Sequence, residues 1–177
     1  MPGLTDLSIS DIAAQVLDPS AYEEAVRPRT IPTGSYRLRH REHKGQVNDA
    51  GQQSVHLTVE ALSTENERRG TLFFDVTPNI YRREDGRLHK MTALFGQLSK
   101  AVNRVGEDVE KVLSAFEETL IQGYVTETLR GPEGIGGYEK VAYTDDGGYS
   151  EKTLALLDEG WVPKNYVQSI SKVKEGA

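Results

Sequence analysis

The chain has 177 residues, 37% hydrophobic and 27% charged, enough for one domain that buries roughly 70% of its unfolded surface. It contains no cysteine, which excludes thiol catalysis, disulfides and every thiolate metal site. The formal charge of -6 argues against a uniformly basic nucleic-acid binder, so the distribution of cations matters more than their sum.

Two segments run against the acidic trend. Residues 36–44 hold Arg37, Arg39, Arg41 and Lys44 against Glu42, and residues 81–90 hold Arg82, Arg83, Arg87 and Lys90 against Glu84 and Asp85. Together they carry a local +5, which leaves the rest of the chain at -11.

Residues 1–29 read as an N-terminal extension of short helices, Ile9 to Leu17 and Ser20 to Val26, separated by Pro19, with Ser8 or Ser10 able to cap the first. Asp6, Asp11, Asp18, Glu23 and Glu24 and the lack of a long apolar run fit neither a signal peptide nor a membrane span. A cytoplasmic protein is expected, without membrane contact.

From Ile31 the period becomes two. Tyr36, Leu38 and His40 share one face of a strand, and Arg37, Arg39 and Arg41 the other. Val55, Leu57, Val59 and Ala61 repeat the alternation after a polar loop. A third run places Leu72, Phe74 and Val76 inward and Thr71, Phe73 and Asp75 outward, which completes a meander.

Pro78 ends that strand, and Asp85-Gly86 suits the tight turn of a hairpin spanning Ile80 to Lys90. Met91, Leu94, Phe95, Leu98, Val102 and Val105 then fall at helical spacing, as do Val109, Val112, Leu113 and Phe116 after Gly106. Gly123 to Leu129 reads as a fourth strand. A second hairpin is expected to pair Tyr138 to Tyr143 with a segment from Gly148 across Asp146-Gly147. Leu154 to Asp158 suits a short helix closed by Gly160, and Tyr166 to Val173 either a last strand or a surface tail. The binding domain is therefore placed at residues 30–170 and a tail at 171–177.

No assembled catalytic signature is present. His40-Arg41-Glu42-His43 resembles a metal pair, but residues three apart on a regular strand point to opposite faces. No metal and no cofactor are expected. Gly131 to Gly137 lacks a Gly-Lys-Ser/Thr ending and has strand-like residues on both sides, which favours a plain loop. An enzyme would need a site assembled from distant residues.

The basic strand offers more. Alternate arginines stand about 6.6 to 6.8 Å apart, close to the phosphate spacing of a single nucleic-acid strand. The plainer alternative is a solvated face that blunts an edge strand. Phe73 on the outward face and Tyr81 beside Arg82 and Arg83 add aromatics for base stacking, unless Phe73 lies beneath a helix.

Three meander strands, a helical insertion and two further strands follow the order of an OB-fold. Ile31-Pro32-Thr33-Gly34-Ser35-Tyr36, with Val55 to Leu62 and Gly70-Thr71-Leu72-Phe73-Phe74, resembles the opening of phage single-stranded DNA-binding proteins over about residues 31–76, with looser agreement to 143. The chain departs from better-known bacterial single-strand binders in ending Ser-Lys-Val-Lys-Glu-Gly-Ala rather than in an acidic tail.

The resemblance implies an α+β, mainly β, five-stranded OB-like barrel that coats exposed DNA in phage replication or recombination, in the host cytoplasm. The expected contacts are Arg37, Arg39, Arg41, Lys44, Phe73, Tyr81, Arg82, Arg83, Arg87 and Lys90. The expected partners are single-stranded DNA, with RNA left open, and further copies of the chain. The alternative is a non-enzymatic structural or assembly protein, such as a virion component, whose basic face meets an acidic protein.

Overall fold

The computed structural model describes residues 10, 13–18, 30–63 and 67–174. Most of the expected N-terminal helices lies outside these residues, and residues 13–18 form a turn followed by irregular, exposed chain.

The elements in chain order are β1 (Gly34–Val47), β2 (Gln53–Leu62), β3 (Arg68–Val76), α1 (Lys90–Ala101), α2 (Val109–Glu117), β4 (Ile121–Arg130), β5 (Tyr138–Lys140), α3 (Glu151–Asp158) and β6 (Val162–Lys172). The protein is α+β and mainly sheet, and every strand pairing is antiparallel. β2 joins β1 to β3, while β1 also pairs through Gly34–Leu38 with the first half of β4. β5 pairs with the last three residues of β4, and β6 runs along all of it. β1 and β5 therefore share one edge of β4, with β6 on the other.

The sheet has six strands and is open, where the sequence suggested a closed barrel of five. β3 and β6 are its edges, and their Cα atoms come within 8 Å of one another, but no ladder joins them among the described residues. α1 packs against both edges and lies over this seam. One of its side chains, Gln97, accepts the Ile170 amide of β6 through Oε1 at 2.7 Å. A helix side chain thus satisfies an edge donor that water or a neighbouring strand would otherwise take.

The alternation expected in the meander is observed. Leu38, Leu57, Val59, Ala61, Leu72, Phe74 and Val76 face one core with Leu94, Leu98, Val112 and Phe116 of the helices. The helix boundaries follow their caps. His89, Asp108 and Ser150 each accept a backbone amide of the first turn. At the end of α1, Asn103 adopts φ 58°, and the Asn103 and Arg104 amides bond back to the Lys100 and Ser99 carbonyls at 3.2 and 2.8 Å. This six-to-one closure stops the helix early. Val105, expected on the apolar stripe, is consequently 73% exposed.

Two further expectations change. Tyr138–Lys140 pairs with β4 rather than with the segment after Gly148, and only Tyr143 bridges to Tyr149 across the second turn. The stretch at Tyr166 belongs to a long strand that begins at Val162.

β1 and β4 approach closely because Gly123 faces Leu38, a residue with no exposed surface. A Cβ at position 123 would stand 2.4 Å from Leu38 Cδ1, well inside van der Waals distance. Gly123→Ala should therefore lower unfolding free energy by about 1–3 kcal/mol through overpacking. Urea denaturation checks this, and a midpoint equal to wild type would show that the β1–β4 junction relaxes freely.

Candidate nucleic-acid interface

β1 is not regular. His40 opposes Val59, but Glu42 opposes Thr58, so Arg41 is an extra, unpaired residue at a bulge. Before the bulge Arg37 and Arg39 point away from the core, as expected. Beyond it the side of each residue reverses. Lys44 comes opposite His56 on the outer face, and His43 comes opposite core Leu57.

Two of the three arginines of the row are already engaged. Arg39 donates to Glu60 Oε2 from Nε and Nη2 at 3.1 and 2.6 Å, and Arg41 Nη1 donates to Glu60 Oε1 at 2.8 Å. Arg68 adds a longer contact to Glu60 Oε1 at 3.7 Å. The Glu60 side chain is only 5% exposed, whereas those of Arg39 and Arg41 are 54% and 58% exposed. The carboxylate is thus covered by the arginines themselves on the outer face. The Arg39 hydrogen bond, with the charges of all three arginines, holds its pKa below the ordinary glutamate value against the opposing effect of burial.

Phe73 stands on the same outer face and is 58% exposed. At that exposure it does not lie beneath a helix; its ring stacks on His56, with centroids 5.8 Å apart and planes inclined by 9°. His56 Nδ1 is fixed in turn by Asp75 Oδ1 at 2.7 Å. Phe73 also lines three hollows. One of about 210 Å³ includes Lys44, His56 and Thr58. Another of about 400 Å³ along the seam includes Lys90, Met91 and Tyr166. A third of about 360 Å³ includes Thr71, Pro163 and Lys164. An exposed ring therefore has a lysine in each adjoining depression.

The second basic segment divides. Arg82 Nη1 donates to the Gly86 carbonyl at 2.9 Å, and Arg83 sits 3.6 Å from Asp85, so both are engaged in their own hairpin. The hairpin itself is as expected, with an Arg82–Leu88 bridge and Gly86 at φ 85°. Tyr81 is half-buried, and its hydroxyl accepts the Gln53 amide at 2.9 Å at the start of β2. That bond ties the hairpin to the start of β2. Lys90 opens α1 and places Nζ 5.5 Å from the centre of the Tyr166 ring, with desolvation lowering its pKa. Among the described residues, no acceptor pairs with the side chains of Arg37, Lys44 or Arg87.

His56, Lys164 and Tyr166 were not among the residues expected from sequence. His56 was legible, since it alternates outward with Thr58. Lys164 and Tyr166 were not, because they reach this surface through the long-range approach of β6 to β3.

A second polar cluster lies at the far end of β4. Glu127 occupies an inward position and is 3% exposed. Its carboxylate accepts the hydroxyls of Tyr143 and Tyr149, each at 2.6 Å, and that of Thr30. Among the described residues no cation pairs with it, and its hydrogen bonds tie Thr30, Tyr143 and Tyr149 to this end of the sheet.

No family model, curated protein or solved structure matches the chain.

Two outcomes follow from the carboxylates. Glu60 stabilises the fold above the ordinary glutamate pKa near 4.3, and that contribution is lost as pH falls through its lower folded value. Glu60→Gln should cost about 1 kcal/mol at neutral pH, the exposed-pair scale, because both guanidinium groups remain more than half exposed. It should also flatten the acid limb of stability, measured by urea unfolding from neutral to acid pH. Burial and donation to Glu127 push Tyr149 up to about 12. Its contribution is complete below the ordinary phenol value of about 10 and lost as pH rises toward the folded value. Ultraviolet phenolate titration should show a late-ionising tyrosine that Tyr149→Phe removes.

Proposed function

We propose that the outer face of β1, β2 and β3, together with the seam between β3 and β6, binds single-stranded nucleic acid without strong sequence preference. The observation that carries this reading is Phe73, exposed, stacked on His56 and flanked by Lys44, Lys90 and Lys164 in the hollows it lines. A base has a stacking face whatever its identity, and each linkage brings a charge, so such a surface holds a strand without reading it.

Lys44, Lys90, Arg37 and Arg87 take phosphates in this reading, with Lys164 added. Arg39 and Arg41 must first share or leave Glu60. The strand order supports an OB-like account, since β1 neighbours β2 and β4, helices separate β3 from β4, and β3 returns beside β6. Single-stranded DNA coated during phage replication or recombination is the ligand and setting proposed. One observation favours the alternative of a protein partner: the arginine row already grips a carboxylate, as it would an acidic surface.

Anisotropy titration with an unstructured oligonucleotide tests the reading. Binding that engages four to six phosphates should weaken with salt at a log–log slope of roughly -3 to -4. Phe73→Ala should reduce affinity by about 1–3 kcal/mol, roughly 5- to 150-fold, without loss of the fold. Glu60→Gln should strengthen binding by freeing Arg39 and Arg41. Absence of binding at low salt overturns the proposal, and self-assembly indifferent to DNA and salt would favour the protein-partner reading.

A further inference from the structure

On the other side of the bulge, three side chains of metal-ligand type meet where β1 passes the end of α2. His40 Nε2 and His43 Nδ1 are 2.8 Å apart. His43 Nδ1 is 4.0 Å from Glu117 Oε1, and the ligand atoms of all three residues lie within 4.8 Å of one another. A regular strand would send the two histidines to opposite faces. With Arg41 looped out, both oppose core residues, Val59 and Leu57.

The cluster is held from beneath. Phe116 is 1% exposed, and its ring meets that of His40 edge-on at 5.5 Å. Glu117 is the next residue and the last of α2. Phe116 therefore positions both the His40 ring and the backbone that carries the carboxylate. Among the described residues no lysine or arginine pairs with Glu117.

We propose that His40, His43 and Glu117 form a binding site for a divalent transition-metal ion of the zinc class. His40 Nε2, His43 Nδ1 and a Glu117 oxygen are the protein ligands, and water completes the shell. Two imidazole nitrogens on one tetrahedral zinc, each at about 2.0–2.1 Å, stand about 3.3 Å apart. The histidines need to open by about half an ångström, and the half-exposed carboxylate to swing inward, both within side-chain reach. Imidazole with one carboxylate suits zinc, cobalt or nickel rather than magnesium or calcium, which take oxygen ligands. The bound ion would pin the bulge of β1 to the end of α2. The inference stands apart from nucleic-acid binding, because its ligands face the other side of the sheet.

The competing account is a hydrogen bond between neutral imidazoles, one donating and the other accepting, with no ion involved. Calorimetric titration of the metal-free full chain with zinc separates the two, and visible absorption with cobalt reports coordination directly. One ion per chain is expected, with an affinity that His43→Ala and Glu117→Gln each reduce by more than about tenfold. His43 and Glu117 are exposed enough for these variants to keep the fold, unlike His40 against Phe116. His56→Ala, which removes the histidine–carboxylate pair on the outer face, should leave uptake unchanged. Zinc should raise the thermal midpoint of the wild type and not of His43→Ala. Failure of stoichiometric uptake, uptake unaffected by His43→Ala, or uptake abolished by His56→Ala would each overturn the proposal.

Discussion

The single extra residue in β1 governs what each face of the sheet presents. In a regular ladder Arg41 would oppose Thr58, Glu42 would oppose Leu57 and Lys44 would oppose Val55, placing two charges on the side of the sheet that carries the core. A bulge instead leaves a single residue unpaired in the ladder. Looping out Arg41 keeps both charges on the outer face, aligns Lys44 with His56, and turns His43 toward the side where His40 already lies. The composition of the outer surface and of the histidine cluster thus has one backbone origin.

The open seam between β3 and β6 is the second determinant. Were those edges hydrogen-bonded along their length, the hollows on either side of Phe73 would be filled by ladder and side chains. Instead α1 spans the gap from one side, Gln97 satisfies an edge amide, and Asn165 fastens the chain entering β1 by bonding both the amide and the carbonyl of Ile31 at 2.9 and 2.8 Å. These polar ties hold the edges near one another without merging them. The result is a grooved surface with an aromatic at its centre, on a protein whose overall charge is negative.

Much of the frame was legible because burial enforces alternation. Leu57, Val59, Leu72, Phe74 and Val76 declare their strands by period, and the same pattern set Phe73 outward. The break in β1 was also written in the sequence, since Glu42 and Lys44 fall where alternation calls for apolar residues. Treating the strand as regular through that break, rather than as bulged, sent His40 and His43 to opposite faces. Other features depend on long-range neighbours that no local pattern carries. The capture of Arg39 and Arg41 by Glu60 arises from register between two strands. Likewise, Lys164 and Tyr166 join the surface only because β6 returns beside β3.

The two covered carboxylates show how context decides what such a group does. Glu127 is inward, and among the described residues the side chains that bond its carboxylate are neutral hydroxyl donors. Glu60 is outward and meets guanidinium groups that remain more than half exposed. A phosphate can approach those arginines from the solvent side, but it must compete with a carboxylate that already accepts two hydrogen bonds from Arg39 on one oxygen and one from Arg41 on the other. Arginines so held contribute less to phosphate binding than their spacing along the strand suggests. Among the described residues no carboxylate forms an ion pair with Lys44, Lys90 or Lys164, so on this surface the lysines are less engaged than Arg39 and Arg41.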